Sequence, residues 1–151
     1  MGCSCGLESE VECKQYFETI IAKEFSDFRY AKLHRLTVDA YSLQHPDPYM
    51  LSAKSFVAHL TGMCCFMEHG GDRDLLRTLQ QWLGGRREDL EKPELLEDLG
   101  ELTIAHITET TEGAEHERRV GEWATDIWRA YAIYHDLAQD WIKTAKREQG
   151  G

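Results

Sequence analysis

The sequence predicts an all-α fold, a helical bundle with four main helices and short additional helices. Apolar residues recur at helical spacing in several segments, and capping residues, glycine pairs or prolines separate these segments. No segment shows sustained alternation of apolar and polar residues between strand-type turns. Of the 151 residues, 42% are hydrophobic and 29% are charged, as is typical of one globular domain over residues 1–151.

Capping residues and prolines place the first two helices. Ser9 is positioned to cap a first helix from about Glu10 to Phe25. Asp27 is positioned to cap a second helix. That helix must stop near His45, because Pro46 disfavours helical geometry in the residue before it.

The third and fourth helices also have clear boundaries. Ser52 caps a third helix that ends at Gly70, and Asp72 begins a short fourth helix that continues through Leu83.

The C-terminal part is predicted to contain the longest helix, from about Ala114 to Lys146, since two adjoining apolar stripes run through it without a proline. Before it, residues 86–101 are predicted to form a charged connector, and Thr103 to cap a short helix ending at Thr108. We expect Tyr41 and Trp128 to be buried, because each lies within a continuous helix face.

The charge balance excludes some partners. The chain has 17 Lys and Arg against 27 Asp and Glu, a formal charge of -10, which repels nucleic acids and anionic membranes. No apolar run approaches the ~18 residues of a membrane span, and the first ten residues are polar and acidic, unlike a signal peptide. We therefore expect a soluble, cytoplasmic protein.

The five cysteines divide into two groups. A cytosolic chain keeps its thiols reduced, so metal binding and core packing are the remaining roles. Cys64 and Cys65 lie in the middle of an apolar helix, and we expect them to pack in the core. Cys3 and Cys5 lie in a short head, residues 1–8, with very little apolar surface to anchor it.

The cysteine head predicts the leading metal site. Two thiolates followed by a glycine form half of a zinc site, and Cys13 is a candidate third ligand. In an up-and-down bundle, His45 and His135 lie near the same end, so either is a candidate fourth ligand.

A second arrangement remains open. In the same topology His34, His59 and His116 lie at similar levels, as an interior three-histidine site requires. Asp39 lies about 140° around the helix from His34, so it is a poor ligand for the same ion but is able to orient the imidazole of another helix. We expect Asp39 and Tyr41 beside the ligands rather than on the ion.

The segment from His34 to Tyr41, HRLTVDAY, continued by QHP, resembles the signature of an uncharacterised bacterial family of unknown function. Other parts agree with it, including the Cys-Gly head, a VxHL segment and a Trp-Ala…Trp…His pattern ending at His135. The resemblance covers most of the chain and brings no known activity. It implies that the characteristic polar positions are Cys3 or Cys5, Cys13, His34, Asp39, His45, His59, His116 and His135.

The order of His34, His59 and a histidine on a late helix is also similar to that in the DinB-like metal-binding bundles. Those four-helix proteins place three histidines from separate helices on one divalent ion, so this is an analogy of architecture.

These patterns favour a small metal-binding helical protein whose zinc ion has a structural role. One alternative is a metal-dependent hydrolase or thiol transferase that uses the three-histidine site. Another is a metal-free interaction module whose acidic connector and exposed helix faces bind a protein partner, with Trp82 beside the Gly84-Gly85 pair as a candidate anchor. A homo-oligomer also remains open. The sequence leaves open whether the protein is an enzyme.

Overall fold

The computed structural model describes residues 3, 5–7, 9–85, 90–107 and 113–149. This part of the chain contains seven α-helices and no strand, which confirms the predicted all-α class. The α-helices are α1 (Glu10–Ser26), α2 (His34–Gln44), α3 (Pro46–Tyr49), α4 (Ala53–His69), α5 (Arg73–Gly84), α6 (Gly113–Ala130) and α7 (His135–Gln149). Three 3-10 turns span Phe28–Leu33, Ile104–His106 and Ala132–Tyr134.

Helices α2 and α4 form the centre of the bundle and pack against each other. Helix α6 packs on both of them, and α7 packs on α4 and α5. Helix α1 covers the outer side of α2. Tyr41 and Trp128, at 3% and 6% exposure, are buried as predicted.

The predicted caps are present. Ser9 accepts a hydrogen bond from the backbone N–H of Glu12 at 3.3 Å, at the start of α1. Ser52 and Ser55 form a reciprocal capping box at the start of α4. Gly70 ends α4 in the left-handed conformation, with φ of 65°. Local capping chemistry therefore fixes these boundaries.

The second helix begins later than the sequence predicts. Asp27 does accept a hydrogen bond from the backbone N–H of Arg29, but the segment that it caps is the 3-10 turn Phe28–Leu33. Helix α2 therefore starts at His34 and ends, as predicted, before His45.

The connector is held against α6 by a carboxylate. Oδ2 of Asp126 accepts hydrogen bonds from the backbone N–H groups of Glu101 and Leu102, at 2.6 and 2.7 Å. Gly100 has a φ of +99°, and a Cβ there would lie 2.6 Å from the same oxygen. Glycine is therefore required at this close approach. Residues 86–89 of the predicted connector, and the predicted helix end at Thr108, lie outside the described residues.

The prediction of one helix from Ala114 to Lys146 is wrong, because the helix breaks at Tyr131. The backbone N–H of Tyr131 bonds to the carbonyls of both Ile127 and Trp128, and a 3-10 turn follows. The Tyr131 hydroxyl donates to the carbonyl of Leu43 at 2.5 Å, which holds this residue in the core. Neither proline nor glycine marks the break, so the sequence pattern does not reveal it.

Trp82 is only 1% exposed, so it is not available as the surface anchor considered for the interaction module. Among the helices of the described ranges, none combines the length and apolar character needed to cross a membrane.

Candidate metal centre

Three separate segments bring four candidate ligands together. Cys3 and Cys5 come from the head, Cys13 from the first turn of α1, and His45 from the residue that follows α2. Their ligand atoms all lie within 4.8 Å of one another. The described residues contain no other such group of three or more histidine, cysteine or acidic side chains.

A tight turn directs the head cysteines into this cluster. The backbone N–H of Cys3 donates to the carbonyl of Leu7 at 2.8 Å, and that of Gly6 donates to the carbonyl of Cys3 at 3.0 Å. Gly6 has a φ of 104°, a conformation that glycine adopts without strain. The turn places Cys5 in the core and leaves Cys3 half-buried.

The spacing of the ligand atoms is close to that around a tetrahedral ion. The sulfurs of Cys5 and Cys13 are 3.6 Å apart, and the Cys13 sulfur lies 3.0 Å from Nε2 of His45. Zinc–sulfur bonds of about 2.3 Å and zinc–nitrogen bonds of about 2.0–2.1 Å separate tetrahedral ligands by roughly 3.6–3.8 Å. Only small shifts are needed to admit an ion.

The ring of His45 is oriented for ligation. Its Nδ1 donates to the backbone carbonyl of Tyr41 at 2.7 Å, which leaves the lone pair of Nε2 facing the sulfurs. The ring of Tyr41 stacks on that of His45, with 4.0 Å between centroids, and on that of Phe17, with 3.8 Å. Tyr41 therefore fixes the histidine both through its backbone and through its side chain.

The thiols influence one another's ionisation. The hydrogen bond with Cys13 lowers the pKa of Cys5 to about 4. The same contact raises the pKa of Cys13, and burial raises that of Cys3. Three thiolates this close cannot ionise together unless a cation offsets their repulsion. The cluster has a donor set that could hold a metal ion.

His135, the other candidate fourth ligand, has a different contact. Its Nε2 donates to the carbonyl of Trp128 at 2.7 Å, and its ring stacks on the indole at 3.7 Å between centroids. The same carbonyl accepts the backbone N–H of Tyr131 at 3.1 Å, so His135 adds a second hydrogen bond at the helix break. The structure brings His45, and not His135, into the cysteine cluster.

The three-histidine site is not formed, because His34, His59 and His116 do not bring their nitrogens to one point. Nδ1 of His59 lies 2.9 Å from Oδ1 of Asp39, whose other oxygen accepts a hydrogen bond from Arg35 at 2.9 Å. Asp39 therefore orients an imidazole of another helix.

Glu24 is not among the site residues that the sequence predicts. Its buried carboxylate lies between His34 and His116. Oε1 is 3.5 Å from Nδ1 of His34, and Oε2 is 3.8 Å from Nε2 of His116. A signal was present, because Glu24 follows Ile20 by four positions and so continues the inward face of α1.

Cys64 and Cys65 pack in the core, as the sequence predicts, and both are 0% exposed. Burial raises the pKa of Cys64 to about 12 and that of Cys65 to about 11. Both are therefore protonated at neutral pH and separate from the metal candidates.

Comparison with known proteins agrees with the resemblance seen in the sequence. The model of a family of unknown function, DUF5946, matches residues 1–132. No curated protein and no solved structure matches the chain. Because the family model covers most of the sequence, including all four residues of the cysteine cluster, the chain belongs to this family of unknown function.

Proposed function

We propose that the protein binds one zinc ion through the thiolates of Cys3, Cys5 and Cys13 and through Nε2 of His45. The observation that supports this most strongly is the convergence of these four ligand atoms within 4.8 Å. Three thiolates and one imidazole are a donor set of structural zinc sites, and soft sulfur ligands disfavour magnesium and calcium.

The role of this ion is structural. Four protein ligands complete a tetrahedral coordination sphere and leave no position for a substrate or a reactive water. The ion joins the head to the start of α1 and to the end of α2. Each ordered residue of the head costs roughly 1–2 kcal/mol of backbone entropy. Zinc binding offsets this cost, because the site forms only in the folded chain.

A reducing compartment suits this function. All five cysteines are free thiols in the structure, and a thiolate site requires them to stay reduced. We propose that the protein works in the cytoplasm, where a disulfide between the sulfurs of Cys5 and Cys13 would not persist.

Zinc content in matched cysteine variants tests this function. Cys13→Ser removes a ligand, whereas Cys64→Ser changes a buried cysteine outside the cluster. After purification under reducing conditions, Cys13→Ser should lose about one zinc ion per chain and unfold at a lower temperature. Cys64→Ser should keep its zinc even if it is less stable. A Cys13→Ser protein with the zinc content of the parent would refute the proposal.

A further inference from the structure

Four buried polar atoms have no hydrogen-bond partner within the described part of the chain, and all four lie in one place. They are Oε1 of Glu24, Nδ1 of His34, and both ring nitrogens of His116. Buried polar atoms are paired in the large majority of cases, so a concentration of unpaired atoms needs an explanation. One carboxylate opposite two imidazoles indicates the position of a cation.

The distances are too long for the groups to satisfy one another. Oε1 of Glu24 lies 3.5 Å from Nδ1 of His34, and Oε2 lies 3.8 Å from Nε2 of His116. Charge-assisted hydrogen bonds are about 2.7–2.9 Å long. Nitrogen and oxygen ligands of one zinc ion lie roughly 3.3 Å apart, which is closer to the spacing seen here.

The carboxylate has little other compensation. The side chains of Glu24 and His116 are both fully buried. The hydroxyl of Thr37 donates to Oε2 of Glu24 at 2.5 Å and fixes the plane of the carboxylate. Lys32, on the neighbouring turn, forms an ion pair with Glu117 at 3.2 Å. A bound cation offsets the cost of burying this carboxylate.

We propose that Glu24, His34 and His116 bind a second metal ion, a divalent transition metal, at a site that shares no residue with the cysteine cluster. Imidazole and carboxylate donors suit zinc, iron, cobalt or manganese. Three protein ligands leave at least one position for water or an exchangeable ligand, unlike the closed cysteine site. The hydroxyl of Thr37 has the role of an outer partner that orients a ligating carboxylate.

Binding requires a modest contraction. The ligand atoms of these three residues are not all within 4.8 Å of one another, as those of the cysteine cluster are. His34 is the ligand able to move, because its side chain is 33% exposed and lies at the first residue of α2. His116 is fixed by the ring of Tyr30, with 4.5 Å between centroids. Of the two histidines, His34 is the one that reaches solvent.

Equilibrium dialysis of the full-length reduced protein against buffered zinc, followed by elemental analysis, tests this inference. The parent protein should bind two zinc ions per chain. Glu24→Gln retains the acceptor for Thr37, and both Glu24→Gln and His116→Gln should bind one ion. His69→Gln is the matched control, since His69 contacts Gln139 and lies in neither cluster, and it should still bind two.

Cobalt spectra of the same variants distinguish loss of the second site from general unfolding. Sulfur-to-cobalt charge-transfer absorption should persist in Glu24→Gln and His116→Gln, because the cysteine site is intact. Suppose that the parent binds one ion, that Cys13→Ser loses it and that His116→Gln keeps it. This result would overturn the second metal site and would support the zinc site at the cysteine cluster. Two ions in both Glu24→Gln and His116→Gln would also overturn it.

Discussion

The indole N–H of Trp123 donates to the side-chain oxygen of Gln44 at 3.0 Å, in the core between α6 and the last residue of α2. The amide nitrogen of Gln44 donates in turn to the carbonyls of Leu99 and Leu102, at 3.1 and 2.6 Å. One buried amide thus joins α2, α6 and the connector. Gln44 directly precedes His45, so this network also fixes the position of a metal ligand.

Replacing Gln44 with methionine keeps its volume and removes these hydrogen bonds. We expect Gln44→Met to lower the free energy of unfolding by about 1–3 kcal/mol, because the indole N–H and two carbonyls lose their partner. Chemical denaturation measures the change. Gln80→Met, on an exposed position of α5, is the control and should change stability very little. An equal effect at both positions would contradict the role assigned to Gln44.

Gly62 should not tolerate a methyl group. A Cβ at this position would clash with Oδ2 of Asp39, the oxygen that accepts a hydrogen bond from Arg35, while Oδ1 of the same carboxylate contacts His59. Gly62→Ala should therefore destabilise the fold by about 1–3 kcal/mol. Gly121→Ala is the matched control, since a Cβ there meets nothing within 4 Å, and it should stabilise α6 by up to about 1 kcal/mol. Thermal unfolding of both variants measures these changes in stability. A Gly62→Ala variant as stable as the parent would show that the ion pair between Arg35 and Asp39 does not need the glycine.

His135 should affect the fold without affecting metal binding. His135→Phe retains the ring over Trp128 but loses the hydrogen bond to its carbonyl, at a cost of about 0.5–1.5 kcal/mol. Zinc content should stay at the level of the parent. His45→Phe, the corresponding change at the proposed ligand, should lower it. If His135→Phe lost zinc and His45→Phe did not, the assignment of the fourth ligand would be reversed.

Alkylation should separate the five cysteines into two classes. Cys64 and Cys65 are buried and have raised pKa values, so they should stay unmodified in the folded protein. Cys3, Cys5 and Cys13 should be protected by zinc and should react once a strong chelator removes it. Mass spectrometry counts the modified thiols. Three modified cysteines before chelation would mean that the head carries no ion.

The parts of the fold governed by local chemistry could be predicted from the sequence. The caps at Ser9 and Ser52 and the stop at Gly70 depend on residues within a few positions of each helix end. The break at Tyr131 could not be predicted, because it depends on a tertiary hydrogen bond to Leu43 and on the support of His135.

The three cysteines of the cluster could be predicted from the sequence, but the histidine could not. The thiols of Cys3, Cys5 and Cys13 stand out in a head with little apolar surface, whereas the choice between His45 and His135 depends on how the last helix bends. Glu24 was missed because an acidic residue on a helix normally faces solvent. Its burial follows from the meeting of three helix ends, which a single sequence does not show.

Zinc X-ray absorption at one zinc ion per chain identifies the atoms that bind the ion. The thiolate site should fill first, because sulfur ligands bind zinc tightly. We expect three sulfur neighbours at about 2.3 Å and one nitrogen neighbour at about 2.0–2.1 Å. A shell of nitrogen and oxygen alone would contradict the claim that Cys3, Cys5, Cys13 and His45 hold the ion.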